Sequence, residues 1–144
     1  MALTLYSAPL TLFGGKIEIA LHEKGMDAEV IRVPYSLQNG FSPKHPEVER
    51  INPKAQIPVL VDEETGKAFP ESSIIIEYLA AKYPAAEKLL PADKDLALRV
   101  RLSDRFYDLY VHEKMQKIVG DRIRPDGQKD AAGVERARGE LEIA

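Results

Sequence analysis

A chain of 144 residues, 44% apolar and 30% charged, is long enough for one full domain or for one small domain and part of another, and its formal charge of −3 gives no reason to expect a polyanion such as nucleic acid as a partner. Cysteine is absent, which excludes disulfides, thiolate metal sites and any cysteine-based redox or nucleophilic chemistry. The first residues carry no basic region ahead of a long apolar core, and no later run approaches the roughly 18 apolar residues of a membrane span, so a cytoplasmic location is expected.

Leu3 to Ser7 alternates apolar and polar residues and predicts a strand ended by Ala8 and Pro9. From Gly14 to Lys24 the pattern becomes helical, with Ile17, Ala20 and Leu21 on one stripe and Gly25 as the stop. Val30 to Val33 is the next strand, closed by Pro34, so the chain opens as a βαβ unit with a right-handed crossover. Tyr35 to Pro46 is polar, carries Gly40, Pro43 and Pro46, and predicts a long loop followed by a short helix at Glu47–Arg50.

Pro58 opens the apolar run Val59-Leu60-Val61. Lacking an amide, it can only start a strand. After the acidic turn at 62–67 the chain returns as Ala68-Phe69-Pro70, a short hairpin. Directly behind it, Ile74, Ile75, Tyr78 and Leu79 lie three and four apart and predict a helix from about Ser72 to Tyr83, stopped by Pro84. A helix N-terminus gathers unpaired amides and partial positive charge, so strand start, hairpin and helix start converge on one anion-favouring spot. These parts give an α/β fold around a four-stranded sheet with three helices.

Residues 84–92 are expected to be a linker between a first domain at 1–83 and a helical region at 93–144. Asp93 can cap a long helix to about Val119, with Leu96, Val100, Phe106, Leu109, Tyr110 and Met115 as its apolar coverage. Gly120 to Gly127 reads as a loop, and a last helix starting near Lys129 carries Val134, Leu141 and Ile143. Two helices with wide apolar faces do not enclose a core of their own, and the expectation is that the chain stops inside an all-helical domain. Asp104 and Asp108, one turn apart beside Arg101 and Arg105, read as a solvated face. His22, His45 and His112 read as surface histidines without metal-ligand spacing, and no metal is expected.

The order and spacing of these motifs resembles the cytosolic glutathione transferases, from Leu3 to about Asp93 and more weakly in the helix beyond. The marks are Asn52-Pro53, Gln56-Ile57-Pro58-Val59-Leu60, Glu71-Ser72 with the helix behind, and Leu90-Pro91. The resemblance implies a thioredoxin-like N-terminal domain, an incomplete all-α domain after it, glutathione as co-substrate and a homodimer. It further implies a cis Ile57–Pro58 bond, with the Ile57 backbone pairing with glutathione like an added strand. Ser72 and the amides of its helix would hold the γ-glutamyl carboxylate and Glu71 the ammonium of the same zwitterion. Gln56 would serve ligand backbone groups and Lys44 the glycyl carboxylate. Read without the resemblance, Pro58 is an ordinary trans proline, Ser72 or Ser73 a helix cap, and Glu71 a solvated turn residue.

Serine-type relatives place the thiol-activating hydroxyl at the head of a Ser-Pro-Phe-Gly-x-Arg/Lys-Val/Ile pattern. Here the matching residues are Thr11-Leu12-Phe13-Gly14-Gly15-Lys16-Ile17, with threonine first and leucine in place of proline. The resemblance thus makes Thr11 the catalytic donor, with Ser7 and Tyr6 as alternatives and a plain helix cap as the structural reading. A hydrogen bond to a charged group contributes about 1.5–3 kcal/mol. That would lower a thiol pKa from about 8.5 by roughly one to two units. Pro9, Leu10, Phe13, Tyr107 and Tyr110, with Met115, are the candidate lining for a small apolar electrophile, although each aromatic taken singly reads as helix-packing core. The expected function is that of a glutathione transferase acting on such an electrophile. A glutathione-binding interaction protein without chemistry is the alternative, and Thr11 is what separates the two.

Overall fold

The computed structural model describes residues 2–9, 11–36, 40, 43–84 and 88–144. The first unit is built around β1 (Leu3–Ser7), whose five residues are all buried. β1 pairs in parallel with β2 (Glu29–Arg32) and antiparallel with β3 (Val59–Asp62), and β3 pairs antiparallel with β4 (Lys67–Phe69), giving the order β2-β1-β3-β4. A strand with neighbours on both sides and helices on both faces has no wet side, so the polar positions of the alternation are buried too. Thr4 settles its hydroxyl by donating to Glu63 Oε1 at 3.0 Å.

The two faces carry separate cores. On one, Leu3, Leu5 and Leu60 meet Ile17 and Leu21 of α1 (Leu12–Glu23) and Ile75 and Leu79 of α3 (Ser72–Lys82). On the other, Tyr6, Val33 and Val59 pack with Val48 of α2 (Pro46–Ile51). Each of these fully buried aliphatic side chains contributes about 1.5–3 kcal/mol relative to exposure. The stripe of Ile17, Ala20 and Leu21 on α1 is buried as its spacing predicts. β2 starts and ends one residue earlier than expected, while Val33 stays buried and its amide donates to the Ser7 carbonyl at 2.7 Å. Of the expected loop at 35–46, residues 37–39, 41 and 42 lie outside the described residues, as do residues 85–87 of the expected linker.

The chain divides into two compact units, Met1–Leu90 and Pro91–Ala144. In the second, α4 (Lys94–Phe106) is capped by Asp93, which accepts from the Leu96 amide at 2.8 Å. A π-helical turn at Tyr107–His112 then leads into α5 (Glu113–Arg122). Gly120 therefore lies within a helix rather than opening a loop. The helix continues because Asp121 at its end is buried and accepts from the Asp130 amide at 2.8 Å, which fixes the returning chain. A 3-10 turn at Asp126–Gln128 precedes α6 (Ala131–Ile143), whose cap is Asp130, accepting from the Gly133 amide at 2.9 Å. Lys117 pairs with Asp130, and Lys114 with Glu140 at 2.6 Å, across α5 and α6. Leu96, Tyr110 and Met115, expected among the apolar coverage, are exposed. Of the three histidines only His22 is exposed. His45 is half-buried with its ring 5.1 Å from that of Tyr6, and His112 is buried, which pushes its imidazole pKa down.

Candidate functional site

The sheet register assembles the candidate residues of the first unit. Tyr6 pairs with Val59 and Leu60 with Phe69, so the end of β1, the residues entering β3 and the chain leaving β4 share one rim of the sheet. Ser7 stands opposite Arg32 in the parallel pair, so the chain leaving β2 departs from that rim as well. Both α1 and α3 begin there, and their free amides and dipoles make that rim electropositive.

Thr11 occupies the N-cap position of α1 with an extended backbone, but its side chain makes no cap hydrogen bond. Its hydroxyl instead donates to the Ala8 carbonyl at 2.9 Å. The plain helix cap read for Thr11 is thus not what its side chain does, and Leu12 beside it is exposed. Ser7 is wholly buried and donates to Glu18 Oε1 at 2.7 Å. Tyr6 is buried in the second core, and its phenol is pushed up by that burial and by nearby Glu47 and Glu63, which disfavours a phenolate. Of these three residues, Tyr6 and Ser7 are buried and Thr11 is half-buried.

Before β3, Asn52 is buried and organises the turn: its Nδ2 donates to the Gln56 carbonyl at 3.1 Å and its Oδ1 accepts from the Lys54 amide at 3.2 Å. Ala55 adopts a left-handed φ of 52°, a conformation that costs a non-glycine residue about 1–2 kcal/mol. The Ile57–Pro58 peptide bond is cis. Gln56 is exposed, Ile57 half-buried and Pro58 buried. At the start of α3, Glu71 is the extended N-cap residue and is exposed, while Ser72 is the first helical residue and is buried. Lys44 is exposed, just ahead of α2. Thr11, Gln56, Ile57, Pro58, Glu71 and Ser72 are therefore brought to one rim by the strand pairing.

Pro9 is exposed and Phe13 half-buried in the first unit, and Leu10 lies outside the described residues. Tyr107 and Tyr110 belong to the second unit and are exposed on its π-helical turn, both 5.6 Å from the Phe106 ring. Among the described residues no group of three His, Asp or Glu side chains could hold a metal ion.

One cluster went unread in the sequence. Asp62 is completely buried at the end of β3 and is held by the Tyr78 hydroxyl, the Lys82 ammonium and the amides of Glu64 and Thr65 at 3.0 and 3.1 Å. Burial alone would raise its pKa, but Lys82, Tyr78 and the amides outweigh it and hold the carboxyl well below the usual range. The available signal is the period of two that puts Asp62 on the face of Leu60, with Tyr78 and Lys82 one turn apart on α3.

A four-stranded mixed sheet of this order, with α1 and α3 on one face and α2 on the other, is a thioredoxin-like domain. Residues 5–87 match the family model of the glutathione S-transferase N-terminal domain, and the chain belongs to the glutathione S-transferase family. It is 36% identical over 139 residues to glutathione S-transferase 3 of Zea mays, a match covering 93% of this chain and 60% of the maize protein. A stringent starvation protein A homolog of Coxiella burnetii is 34% identical over 102 residues, covering 69% of this chain and 44% of that one. Among solved structures, a glutathione S-transferase from Methylobacillus flagellatus with GSH bound superposes with a TM-score of 0.80 at 27% identity, covering 98% of this chain and 65% of the other. The chain thus spans between 44% and 60% of the length of these two curated relatives.

Proposed function

We propose that this chain binds glutathione at the rim shared by β1, β3 and β4 and uses Thr11 to favour the thiolate for attack on a small apolar electrophile. The observation that carries this is the meeting, at one rim, of two helix starts with the Gln56–Ile57 backbone and the Glu71–Ser72 pair. A zwitterionic γ-glutamyl group needs donors for its carboxylate and an anion for its ammonium, and Ser72 with the α3 amides, and Glu71, supply both kinds. Gln56 and Lys44 would serve the remaining backbone and glycyl groups, and the Ile57 backbone the cysteinyl residue. In this role the working form is a cytoplasmic homodimer.

The Thr11 hydroxyl has one proton, and it is already donated to the Ala8 carbonyl. Turning it to a thiolate exchanges a neutral bond of about 0.5–1.5 kcal/mol for a charge-assisted one of about 1.5–3 kcal/mol, a net gain of about 1 kcal/mol. That is somewhat less than one pKa unit, and the helix start adds about 0.3–1 kcal/mol. The combined shift is about one unit, at the lower end of what the sequence suggested.

The same bond favours a second reading, a glutathione-binding protein without chemistry, in which Thr11 only braces the turn after β1. The similarity to a stringent starvation protein A homolog, whose name is not that of a transferase, points the same way. Calorimetric titration with glutathione, followed by pH-rate profiles of the parent chain and Thr11→Ala with an aromatic halide, tests both. Binding with a Thr11-dependent rate supports the transferase, binding without turnover supports the binder, and no saturable binding removes both.

A further inference from the structure

We infer that Glu18 is a positioning residue for Thr11, clamping the first turn of α1 to the ends of β1 and β2; this rests on Thr11 acting as the donor to the glutathione thiol. Glu18 Oε1 accepts from Ser7 Oγ and from Arg32 Nη1, each at 2.7 Å, and Oε2 accepts from Arg32 Nη2 at 2.8 Å. Ser7 and Arg32 are themselves cross-strand partners, the last residues of the parallel pair β1 and β2. A single carboxylate therefore ties one face of α1 to both strand ends at the candidate rim.

Gly14 lies one turn before Glu18, on the same face of the helix. A Cβ at position 14 would stand well inside 3.0 Å of both Ser7 Oγ and Thr11 Oγ1. The first turn of α1 is thus seated directly on the Ser7 hydroxyl, and the Thr11 hydroxyl flanks the same point. Gly14 permits the close approach and Glu18 maintains it. Arg32 holds the Glu18 carboxyl below its ordinary range, against the burial that opposes this, with Ser7 assisting, so the clamp stays anionic wherever the thiol titrates. A charge-assisted bidentate pair is geometrically specific, and misplacing a reacting group by about 1 Å can cost about a hundredfold in rate. No contact between Glu18 and the ligand is required.

The test is a double-mutant cycle on the chain saturated with glutathione, reading the pKa of the bound thiol from its thiolate ultraviolet absorbance. Thr11→Ala should raise that pKa by somewhat under one unit. Glu18→Ala should raise it by about half a unit with little change in glutathione affinity, and by nothing further in the Thr11→Ala background. Glu18→Gln should raise it by less than Glu18→Ala, because its one amide oxygen can still accept from Ser7 Oγ and Arg32 Nη1 while its NH2 cannot accept from Arg32 Nη2. If Glu18→Ala does not fold, Arg32→Gln opens the same clamp from the strand side and is read in the same cycle. A parental thiol pKa in Glu18→Ala, or a shift that adds in full to that of Thr11→Ala, overturns the role of Glu18 alone. An unshifted thiol in Thr11→Ala removes the donor beneath it, and an absence of saturable binding removes the glutathione site itself.

Discussion

The side-chain amide of Asn52 donates to the backbone carbonyl of Gln56 at 3.1 Å, closing the turn that delivers the chain into β3. Asn52→Ala removes this bond and the one its Oδ1 accepts from Lys54, and is expected to destabilise the fold by about 1–2 kcal/mol in urea unfolding. Gln56 and Ile57 lose their fixed placement with it. Glutathione affinity should fall several-fold in calorimetry; an unchanged affinity would show that the Gln56–Ile57 backbone takes no part in holding the ligand.

Adjacent glycines of α1 are expected to respond with opposite signs. At Gly15 an added Cβ meets nothing within 4 Å, so Gly15→Ala should gain up to about 1 kcal/mol from helix propensity. At Gly14 the same methyl group collides with the buried Ser7 hydroxyl and that of Thr11, and overpacking of this kind costs about 1–3 kcal/mol. Thermal melts of the two variants side by side decide the matter. Equal shifts would mean that the first turn of α1 is not seated on Ser7.

Glu71 is exposed and has no capping bond, so replacing it costs little stability. If it holds the γ-glutamyl ammonium, Glu71→Gln should weaken glutathione about tenfold, the value of one charge-assisted bond. A glutathione analogue lacking that amino group should bind parent and variant alike. Equal losses for both ligands would assign Glu71 a role other than ammonium recognition.

The buried Asp62 makes stability depend on acid. Its pKa is lowered on folding, so the unfolded chain binds its proton first: the stabilisation is complete above about pH 4, the unfolded carboxylate value, and is lost as pH falls below it. Asp62→Asn should cost about 2 kcal/mol at pH 7, leaving the Lys82 ammonium against a neutral group. Urea midpoints of parent and variant should run parallel from pH 5 to 8 and converge below about pH 4. Curves that remain parallel to pH 2.5 would count against a charged Asp62 as the source.

Much of the first unit was legible because its signals are local. The 3-4 spacing of Ile17, Ala20 and Leu21 and Pro58 ahead of Val59-Leu60-Val61 each state an element within a few residues, as Asp93 ahead of Leu96 does in the second unit. The placement of Gln56 and Ser72 near one rim followed from a strand start and a helix start that the hairpin must bring together. What stayed hidden are pairings that only the folded topology creates. Asp62 looked like part of an acidic turn, since Tyr78 and Lys82 lie 16 and 20 residues away, and the Glu18–Arg32 pair spans 14 residues with no local mark of its own. Gly120 misled for the opposite reason: a strong local breaker was overruled by Asp121, whose partner amide is nine residues ahead.

The polar ties between α5 and α6 also bear on the order in which the chain folds. Asp121 reaches Asp130 across nine residues and Lys117 reaches it across 13, so the hairpin closes on a loop that a free chain samples in about 10–100 ns. The sheet of the first unit must instead join Thr4 to Glu63 across 59 residues, a search whose entropy has to be met before any long-range contact repays it. The helical hairpin is therefore expected to be structured while β1 and β3 are still apart.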